Sequence, residues 1–406
     1  MRTHRIRGRL LALLITGLIT ALVGVAGCAA PAPPTTAPAS PGVGADGCVE
    51  SFDPAADYFP DKQQLEFAKN LKIDYHGSYQ VITVQQPVIG GKPESYVFLR
   101  CGAPKPELTG AIADAPVITT PVRSLFSGST THLPSLEALG RLDVLTGVAA
   151  KAYISSAAAK ERADSGEVIE YAAAGTPDAE AIVAGKPDVV ITDGLDSPAF
   201  ATVRDAGIGV LAGAEFLEND PLGRAEWIKF FAALTGTEAK AAEVFGQIRD
   251  DYRKTSQLVA DAEPVDLLLS QPYQGVWSIP GGGSFAGKLI KDAGGRWPWQ
   301  DDPTTGSINT DLEAVLGKSA KAPIWINTAN WRTLKEATTD EPRLAEFAAY
   351  KSGQVWSPSK QLNEAGGNNY FELGVLRPDL TLADLVAITH PDLLPDHPFT
   401  FYQRLP

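Results

Sequence analysis

The sequence is poor in cysteine, methionine and histidine, and it has no excess of basic charge. Its 406 residues include three cysteines, one methionine and five histidines, and Asp and Glu outnumber Lys and Arg by 48 to 35. Nucleic-acid binding needs a basic surface, so a net charge of -13 excludes nucleic acid as a predicted partner. The chain has no phosphate loop of the Gly-x-x-x-x-Gly-Lys-Thr type, which excludes a P-loop ATPase.

Metal binding by the chain itself is also excluded as a prediction. Zinc and manganese sites gather several His and carboxylate ligands at close spacing. The histidines are instead scattered, at positions 4, 76, 132, 390 and 397. We therefore predict no metal site and no resident cofactor.

The N-terminus has the composition of an export signal. Four arginines precede an apolar run at residues 10–25: Arg2, Arg5, Arg7 and Arg9. A run this short, followed by Pro and Thr rather than by charged residues, is a poor spanning helix, although a single N-terminal membrane anchor is the alternative. Its ending, Val-Ala-Gly-Cys at 25–28, resembles a bacterial lipobox. That resemblance implies cleavage after residue 27, a diacylglycerol on Cys28, and attachment by lipid to the outer face of the cytoplasmic membrane.

The segment after this signal is a tether, followed by a β-rich extension. Residues 28–47 consist mainly of Ala, Pro, Thr, Ser and Gly, which predicts a flexible linker. Residues 48–112 contain two β-branched and aromatic runs, 79–84 and 95–99, around Gly90-Gly91, which predicts a hairpin. Cys48 and Cys101 form an even pair in an exported chain, so we predict a disulfide; two buried free thiols are the alternative.

The rest of the chain alternates short apolar runs with helical stretches, which predicts an α/β fold. Strands are predicted at 117–119, 144–148, 189–191, 265–269 and 324–326, and helices at 133–139, 179–184 and 285–293. Residues 238–260 have apolar positions near helical spacing without a proline, which predicts one long connecting helix. The predicted organisation is an N-terminal lobe at 113–236, a connecting helix at 237–262, and a C-terminal lobe with its tail at 263–406.

Several motifs in these lobes resemble one family. They are Glu180 in Asp-Ala-Glu-Ala-Ile-Val, Ser284 in Gly-Gly-Gly-Ser-Phe, Asp-Ala-Gly-Gly at 292–295, and Glu313 before its strand. Together they resemble the iron-siderophore and cobalamin class of ABC-transporter substrate-binding proteins, the class III or periplasmic binding protein 2 family, over residues 115–395. The resemblance implies two α/β lobes joined by one helix, with a ligand in the cleft between them and no chemistry of its own. It implies a monomer that delivers a ferric siderophore, haem or a cobalamin-like ligand to an ABC permease.

The resemblance also implies which residues contact the permease. In the family, one glutamate on each lobe faces basic residues of the permease, and by position these are Glu180 and Glu313. The alternative is that both are first-turn charges that suit a helix dipole and have no partner.

Candidate ligand contacts are expected in loops at the carboxyl ends of strands. The N-terminal lobe offers Ser129, Thr130, His132 and Tyr153, and the C-terminal lobe offers Tyr273, Trp277, Trp331 and Arg332. Aromatic faces suit a large, partly apolar chelate, and Arg123 or Arg332 could pair with an anionic one. The alternatives are helix capping by Thr131 or Ser135, tryptophans in the core, and surface ion pairs.

A lipid-anchored esterase is the alternative function. Ser284 lies in Gly-Gly-Ser-Phe-Ala between a predicted strand and helix, which nearly matches a nucleophile elbow, and Asp and His residues follow it in α/β-hydrolase order. However, Ala286 stands where the elbow needs glycine, and no oxyanion loop precedes it. We therefore predict a binding protein and not an enzyme.

Overall fold

A computed structural model describes residues 42–194, 197–339 and 341–406. The predicted signal, its lipidation site Cys28 and tether residues 29–41 lie outside the described residues. None of the helices in the described part is both long enough and apolar enough to span a membrane.

The extension folds into a four-stranded sheet. Its strands, in spatial order, are β1 (Leu71–His76), β2 (Tyr79–Val84), β3 (Glu94–Arg100) and β4 (Val117–Thr120). β2 and β3 form the predicted hairpin, with Tyr79 opposite Leu99. Cys48 and Cys101 form a disulfide that joins the start of the extension to the residue after β3.

The placement of β4 differs from the prediction. Residues 117–119 are predicted as a strand of the N-terminal lobe, whereas the structure pairs β4 with β3 in parallel. A β-branched run predicts a strand but does not identify its partner. Ile118 is buried and packs against Gly209, so β4 connects the extension to the edge of the neighbouring sheet.

The N-terminal lobe is built on a parallel sheet. Its strands are β5 (Leu125–Ser127), β6 (Leu145–Val148), β7 (Ile169–Glu170), β8 (Val189–Thr192) and β9 (Gly209–Ala212), in the order β7-β6-β5-β8-β9. Its helices are α1 (Leu133–Ala138), α2 (Ala157–Asp164), α3 (Ala179–Gly185), α4 (Pro198–Asp205), α5 (Pro221–Ala225) and α6 (Ile228–Thr235). The parallel order brings the carboxyl ends of β5 to β8 to one edge of the sheet.

Helix α7 (Glu238–Leu258) leads into the C-terminal lobe. That lobe has strands β10 (Val265–Leu269), β11 (Pro272–Tyr273), β12 (Val276–Pro280), β13 (Gly295–Arg296), β14 (Ser307–Thr310), β15 (Ile324–Ile326), β16 (Val355–Ser357) and β17 (Gln403–Arg404). The order β13-β10-β15-β16-β17 is parallel except for β17, and β11-β12-β14 form a separate antiparallel sheet. The predicted fold class, two α/β lobes with an N-terminal β extension, is confirmed.

The helices of the C-terminal lobe include two that reach the other parts of the chain. They are α8 (Phe285–Asp292), α9 (Leu312–Ser319), α10 (Leu334–Ala337), α11 (Ala348–Lys351), α12 (Asn369–Leu376) and α13 (Pro378–Thr389). α13 packs along α7, and α12 packs against α1, α5 and the short turn Thr130–His132 of the N-terminal lobe. The C-terminal tail therefore contacts both lobes.

The segment before β1 is held to the N-terminal lobe by a buried carboxylate. Glu226, which is fully buried, accepts hydrogen bonds from the backbone N–H groups of Glu66, Phe67 and Ala68 at 2.7 to 2.9 Å. The buried Lys229 ammonium also donates to it at 2.6 Å. Nearby, the buried Glu218 accepts from the N–H groups of the next two residues, 69 and 70.

We expect Glu226→Gln to lower the free energy of unfolding by about 3 kcal/mol or more, because it leaves the Lys229 charge buried without its partner. Urea denaturation followed by circular dichroism measures this loss. The control is Glu243→Gln, which breaks an exposed Lys–Glu pair of the same helical spacing, Lys240–Glu243, and should change stability by less than about 1 kcal/mol. Equal effects of the two variants would contradict a special role for the buried pair.

Candidate ligand-binding site

A cavity of about 670 Å³ lies at the carboxyl ends of the strands of the N-terminal lobe. This is where α/β sheets expose loop backbone and side chains to ligands. The lining residues come from the loops after β5, β6, β7 and β8: Gly128, Ala149, Ala150, Tyr153, Tyr171, Ala172, Ala173, Ala174, Gly175, Thr176, Pro177, Asp193, Ser197 and Phe200.

Tyr171 is a buried residue of the cavity wall. Its side chain is 2% exposed, its ring stacks on Phe126 with centroids 5.6 Å apart, and its hydroxyl has no hydrogen-bond partner among the described residues. Burial, with a further contribution from Asp193, raises the pKa of Tyr171, so the phenol stays protonated at neutral pH. Tyr171 is therefore a neutral residue of the cavity wall whose buried hydroxyl makes no hydrogen bond among the described residues, which costs free energy.

Tyr171 and the loop that follows it are not predicted from the sequence. β7, the strand before Tyr171, has only two residues, so no apolar run marks it. The loop continues as three alanines, a glycine and a proline, and then Asp178 caps α3 by accepting from the Ala181 N–H at 3.0 Å. The sequence feature that could have located this loop is the helix cap at Asp178, because it places residues 171–177 between a strand and the start of a helix.

Gly128 allows the ends of two strands to approach closely beside the cavity. A Cβ atom at this position would lie 2.8 Å from the Ile191 carbonyl oxygen and 2.9 Å from the Asp193 nitrogen. Both neighbours are backbone, which cannot move aside without breaking the β5–β8 pairing. The cavity floor therefore depends on glycine here.

Tyr153 is the one N-terminal-lobe candidate that the structure places in the cavity wall. It ends the short turn Lys151–Tyr153 after β6, and its side chain is 53% exposed. An aromatic ring with half of its surface open has apolar area to bury against a ligand.

The other candidates in the loop after β5 are not among the residues that line the cavity, and two of them make internal contacts. Ser129 caps the turn Thr130–His132 by accepting from the Thr131 N–H and hydroxyl, so the cap is Ser129 and not Thr131 or Ser135. His132 is 1% exposed and its Nδ1 lies 2.9 Å from the Ser127 hydroxyl. Burial lowers the pKa of His132, so it is a neutral residue beneath the site and not a ligand contact. Thr130 is partly exposed at the start of the turn.

Two further candidates lie away from the site. Arg123 precedes β5, at the amino end of the sheet, and its exposed guanidinium pairs with Asp46 at 3.8 Å. Trp277 is fully buried, with its indole N–H donating to the Leu269 carbonyl and its ring packed between Trp325 and Phe347. Both are therefore corrected: Arg123 forms a surface ion pair, and Trp277 is a core residue.

The remaining C-terminal-lobe candidates follow β10 and β15. Tyr273 is 74% exposed on the β11–β12 turn, and Trp331 packs edge-on against Trp325 at 5.6 Å. Arg332 is exposed, and its guanidinium lies 3.5 Å from the Asn363 carbonyl oxygen. Asn363 in turn contacts the loop that carries Tyr153, so Arg332 lies one contact from the cavity wall.

The two glutamates implied for docking differ in their surroundings. Glu180 is exposed in the first turn of α3. Glu313 is exposed in the first turn of α9, but both of its carboxylate oxygens accept from the guanidinium of Arg343, which lowers the pKa of Glu313. A basic partner at Glu313 would compete with Arg343.

Ser284 has a structural role. Its buried hydroxyl donates to the Gly281 carbonyl at 2.7 Å and accepts from the Gly287 N–H at 3.0 Å, which makes it the cap of α8. The histidines downstream are occupied elsewhere: His397 bonds to Asp384, and His390 lies within hydrogen-bond distance of Thr389 and the Glu263 carbonyl. Within the described ranges, no group of three or more His, Cys, Asp or Glu residues is arranged to hold a metal ion.

The model of the periplasmic binding protein family matches residues 126–362. This chain belongs to that family. An uncharacterised lipoprotein of Methanocaldococcus jannaschii is 26% identical over 351 residues, which covers 81% of this chain and 82% of the relative. As a periplasmic binding protein of the periplasmic binding protein 2 type, the chain is a substrate-binding component of transport and not an enzyme.

Solved structures share the fold of this periplasmic binding protein at low identity. A possible iron-binding, periplasmic solute-binding protein of Staphylococcus epidermidis superposes with a TM-score of 0.53 at 15% identity, covering 66% of this chain and 99% of that one. A periplasmic haem-binding protein of Pseudomonas aeruginosa gives 0.51 at 19% identity, with coverages of 66% and 93%. These likenesses support the fold assignment.

We expect Ser284→Ala to lower the free energy of unfolding by about 1 kcal/mol, because it removes a helix cap. Neither the wild-type protein nor the variant should hydrolyse p-nitrophenyl esters above background. Ser256→Ala, at an exposed non-capping serine of α7, is the control and should change stability by less than about 0.5 kcal/mol. Ester hydrolysis that vanishes in Ser284→Ala would overturn the assignment.

Proposed function

We propose that this periplasmic binding protein captures a ferric siderophore or a related metal chelate and delivers it to an ABC permease. The observation that carries the proposal is the cavity of the N-terminal lobe, in which the buried Tyr171 hydroxyl lacks a partner among the described residues. At about 670 Å³ the cavity has the size of a site for a small organic ligand.

The character of the cavity favours a ligand that brings its own metal donors. The protonated phenol of Tyr171 is a hydrogen-bond donor, so it matches an acceptor oxygen at the rim of a chelate. His132, the histidine nearest in sequence to the site, is buried beneath it and does not reach a ligand. The exposed ring of Tyr153 and the alanines after Tyr171 add apolar surface for the organic part of such a chelate.

The names of the structural relatives support the same class of ligand. The iron-binding and haem-binding proteins described above share this fold, although their identity to this chain is too low to transfer a ligand. Haem and cobalamin therefore stand beside the ferric siderophore as ligands to be tested.

We further propose that Cys28 carries a lipid that holds the protein at the outer face of the cytoplasmic membrane. The motif Val-Ala-Gly-Cys and the proline-rich tether support this, as does the description of the Methanocaldococcus relative as a lipoprotein. The acidic Glu180 and Glu313, one on each lobe, are the proposed contacts to basic residues of the permease.

Titration with candidate ligands tests the proposed ligand class. Titration of purified protein with a ferric hydroxamate, a ferric catecholate, haem and cyanocobalamin should give saturable tryptophan quenching with one of them. Tyr171→Phe should then weaken affinity about 3- to 10-fold, the value of one hydrogen bond. Tyr350→Phe, which removes a hydroxyl on α11 outside the cavity, should leave affinity unchanged. If Tyr171→Phe binds with the same affinity as the wild-type protein, the Tyr171 hydroxyl does not contact the ligand. If none of the four probes changes the fluorescence, the proposed ligand class is wrong.

Charge reversal tests the proposed contact between the two glutamates and the permease. The double variant Glu180→Lys with Glu313→Lys should abolish uptake of the chelate by whole cells, because like charges then meet across the interface with the permease. The affinity of the binding protein for the chelate should stay the same. Arg343→Ala should leave ligand affinity unchanged and strengthen permease binding, because it frees Glu313. Reversal at two other exposed acidic residues, Glu161→Lys with Asp301→Lys, is the control for net charge. A loss of ligand affinity in the docking variant would contradict the assignment.

A further inference from the structure

The loop that carries Tyr153 is held by the opposite lobe. Residues 151–156 leave the carboxyl end of β6 and lead into α2 of the N-terminal lobe. Residues 363–372 of the C-terminal lobe approach this loop with a side-chain amide, a glycine and a carboxylate. The wall of the ligand cavity in one lobe therefore has its supports in the other.

Glu372 makes the strongest of these contacts. It is 1% exposed on α12, and its two carboxylate oxygens accept from the backbone N–H groups of Ser155 and Ser156, both at 2.8 Å. Ser156 is the cap of α2, so the carboxylate also lies at the positive end of that helix. Hydrogen bonds to a charged acceptor are stronger than neutral ones, and a buried carboxylate that lost them would be costly.

Asn363 and Gly367 hold the other half of the loop. The Asn363 side-chain amide donates to the carbonyls of Ala152 at 3.0 Å and Ile154 at 3.4 Å, on either side of Tyr153. Gly367 lies directly against Tyr153: a Cβ atom there would be 2.3 Å from the Tyr153 carbonyl oxygen. The backbone on each side of the cavity residue is thus fixed from the C-terminal lobe.

The loop has open space on both sides. Tyr153 faces the ligand cavity, whereas Ser155 and Ser156 line a second cavity of about 740 Å³ between α1, α7 and α12. Of the six loop residues only Ile154 is buried in the hydrophobic core. Apolar packing alone therefore does not fix the position of Tyr153, and the hydrogen bonds from Asn363 and Glu372 supply the remaining constraint.

We propose that Asn363, Gly367 and Glu372 are positioning residues for the ligand: by holding the loop at 151–156, they set where the Tyr153 ring meets the bound chelate. Affinity then depends on contacts between the lobes that lie outside the ligand cavity. This inference rests on the proposed function for its effect on affinity, but the positioning of the loop can be measured without any ligand.

A double-mutant cycle with Tyr153 tests the proposal. We expect Glu372→Gln and Asn363→Ala each to weaken affinity about 5- to 10-fold for whichever of the four probes above binds. In a Tyr153→Ala background the same changes should have less than a 2-fold effect, because the residue that they position is gone. Fully additive effects in the cycle would overturn the proposal. Glu364→Gln, at an exposed glutamate of the same segment, is the matched control and should have no effect.

Fluorine NMR of the ligand-free protein provides the second readout. The chain has 11 tyrosines, and the 3-fluorotyrosine signals of Tyr153 and Tyr171 can be assigned with Tyr153→Phe and Tyr171→Phe. Glu372→Gln and Asn363→Ala should shift or broaden the Tyr153 signal and leave Tyr171 unchanged, since Tyr171 stacks on Phe126 within its own lobe. An unchanged Tyr153 signal would overturn the proposal.

Two further outcomes are distinguished by this design. If no probe binds the wild-type protein, the proposed ligand class fails, while the fluorine signal of Tyr153 still decides whether the loop is held from the C-terminal lobe. If Glu372→Gln does not fold, as judged by circular dichroism, Gly367→Ala replaces it, because its methyl group pushes on the Tyr153 carbonyl directly. Gly367→Ala should weaken affinity and move the Tyr153 signal in the same way.

Discussion

Buried carboxylates that accept backbone N–H groups connect the parts of this chain that its sheets leave separate. Glu226 is the clearest case, because it accepts from three consecutive residues of the segment before β1 and pairs with Lys229. Burying a carboxylate is costly, and the cost is offset only when its lone pairs are filled. Three backbone donors and one ammonium meet that condition, so the extension is attached by its backbone and does not depend on particular side chains of the segment.

Besides the neighbouring Glu218, the same arrangement occurs twice more, each time between a helix and an irregular segment. Asp384 on α13 accepts from the N–H groups of residues 400–402 and bonds to His397, which fixes the C-terminal end of the chain. Glu372 on α12 holds the loop that carries Tyr153. In each case a side chain on a rigid element supplies the acceptors that an irregular backbone lacks. The loop at the wall of the candidate cavity is thus held in the same way as the segment before β1 and residues 400–402.

The sequence predicts the elements whose structure is decided by local patterns. It does not predict features that depend on which distant residues come into contact. β8, β15 and α7 follow from buried apolar runs and helical spacing, and so does the two-lobed α/β fold. The partner of β4, the burial of Trp277 and the ion pair of Glu313 depend on residues far along the chain. Tyr171 was missed because β7 is too short to show a pattern. Ser284, which the sequence offered only as an alternative nucleophile, is in three dimensions a helix cap.

The candidate cavity lies in one lobe, but part of its wall is held from the other. The described residues that line it all belong to the N-terminal lobe, and α13 packs along the connecting helix α7. The contact between the Tyr153 loop and residues 363–372 joins the cavity wall directly to the other lobe. Glu372 lies in the first turn of α12, which also packs against α1, α5 and the turn Thr130–His132, so a displacement of the loop would reach a helix that contacts the N-terminal lobe at several places.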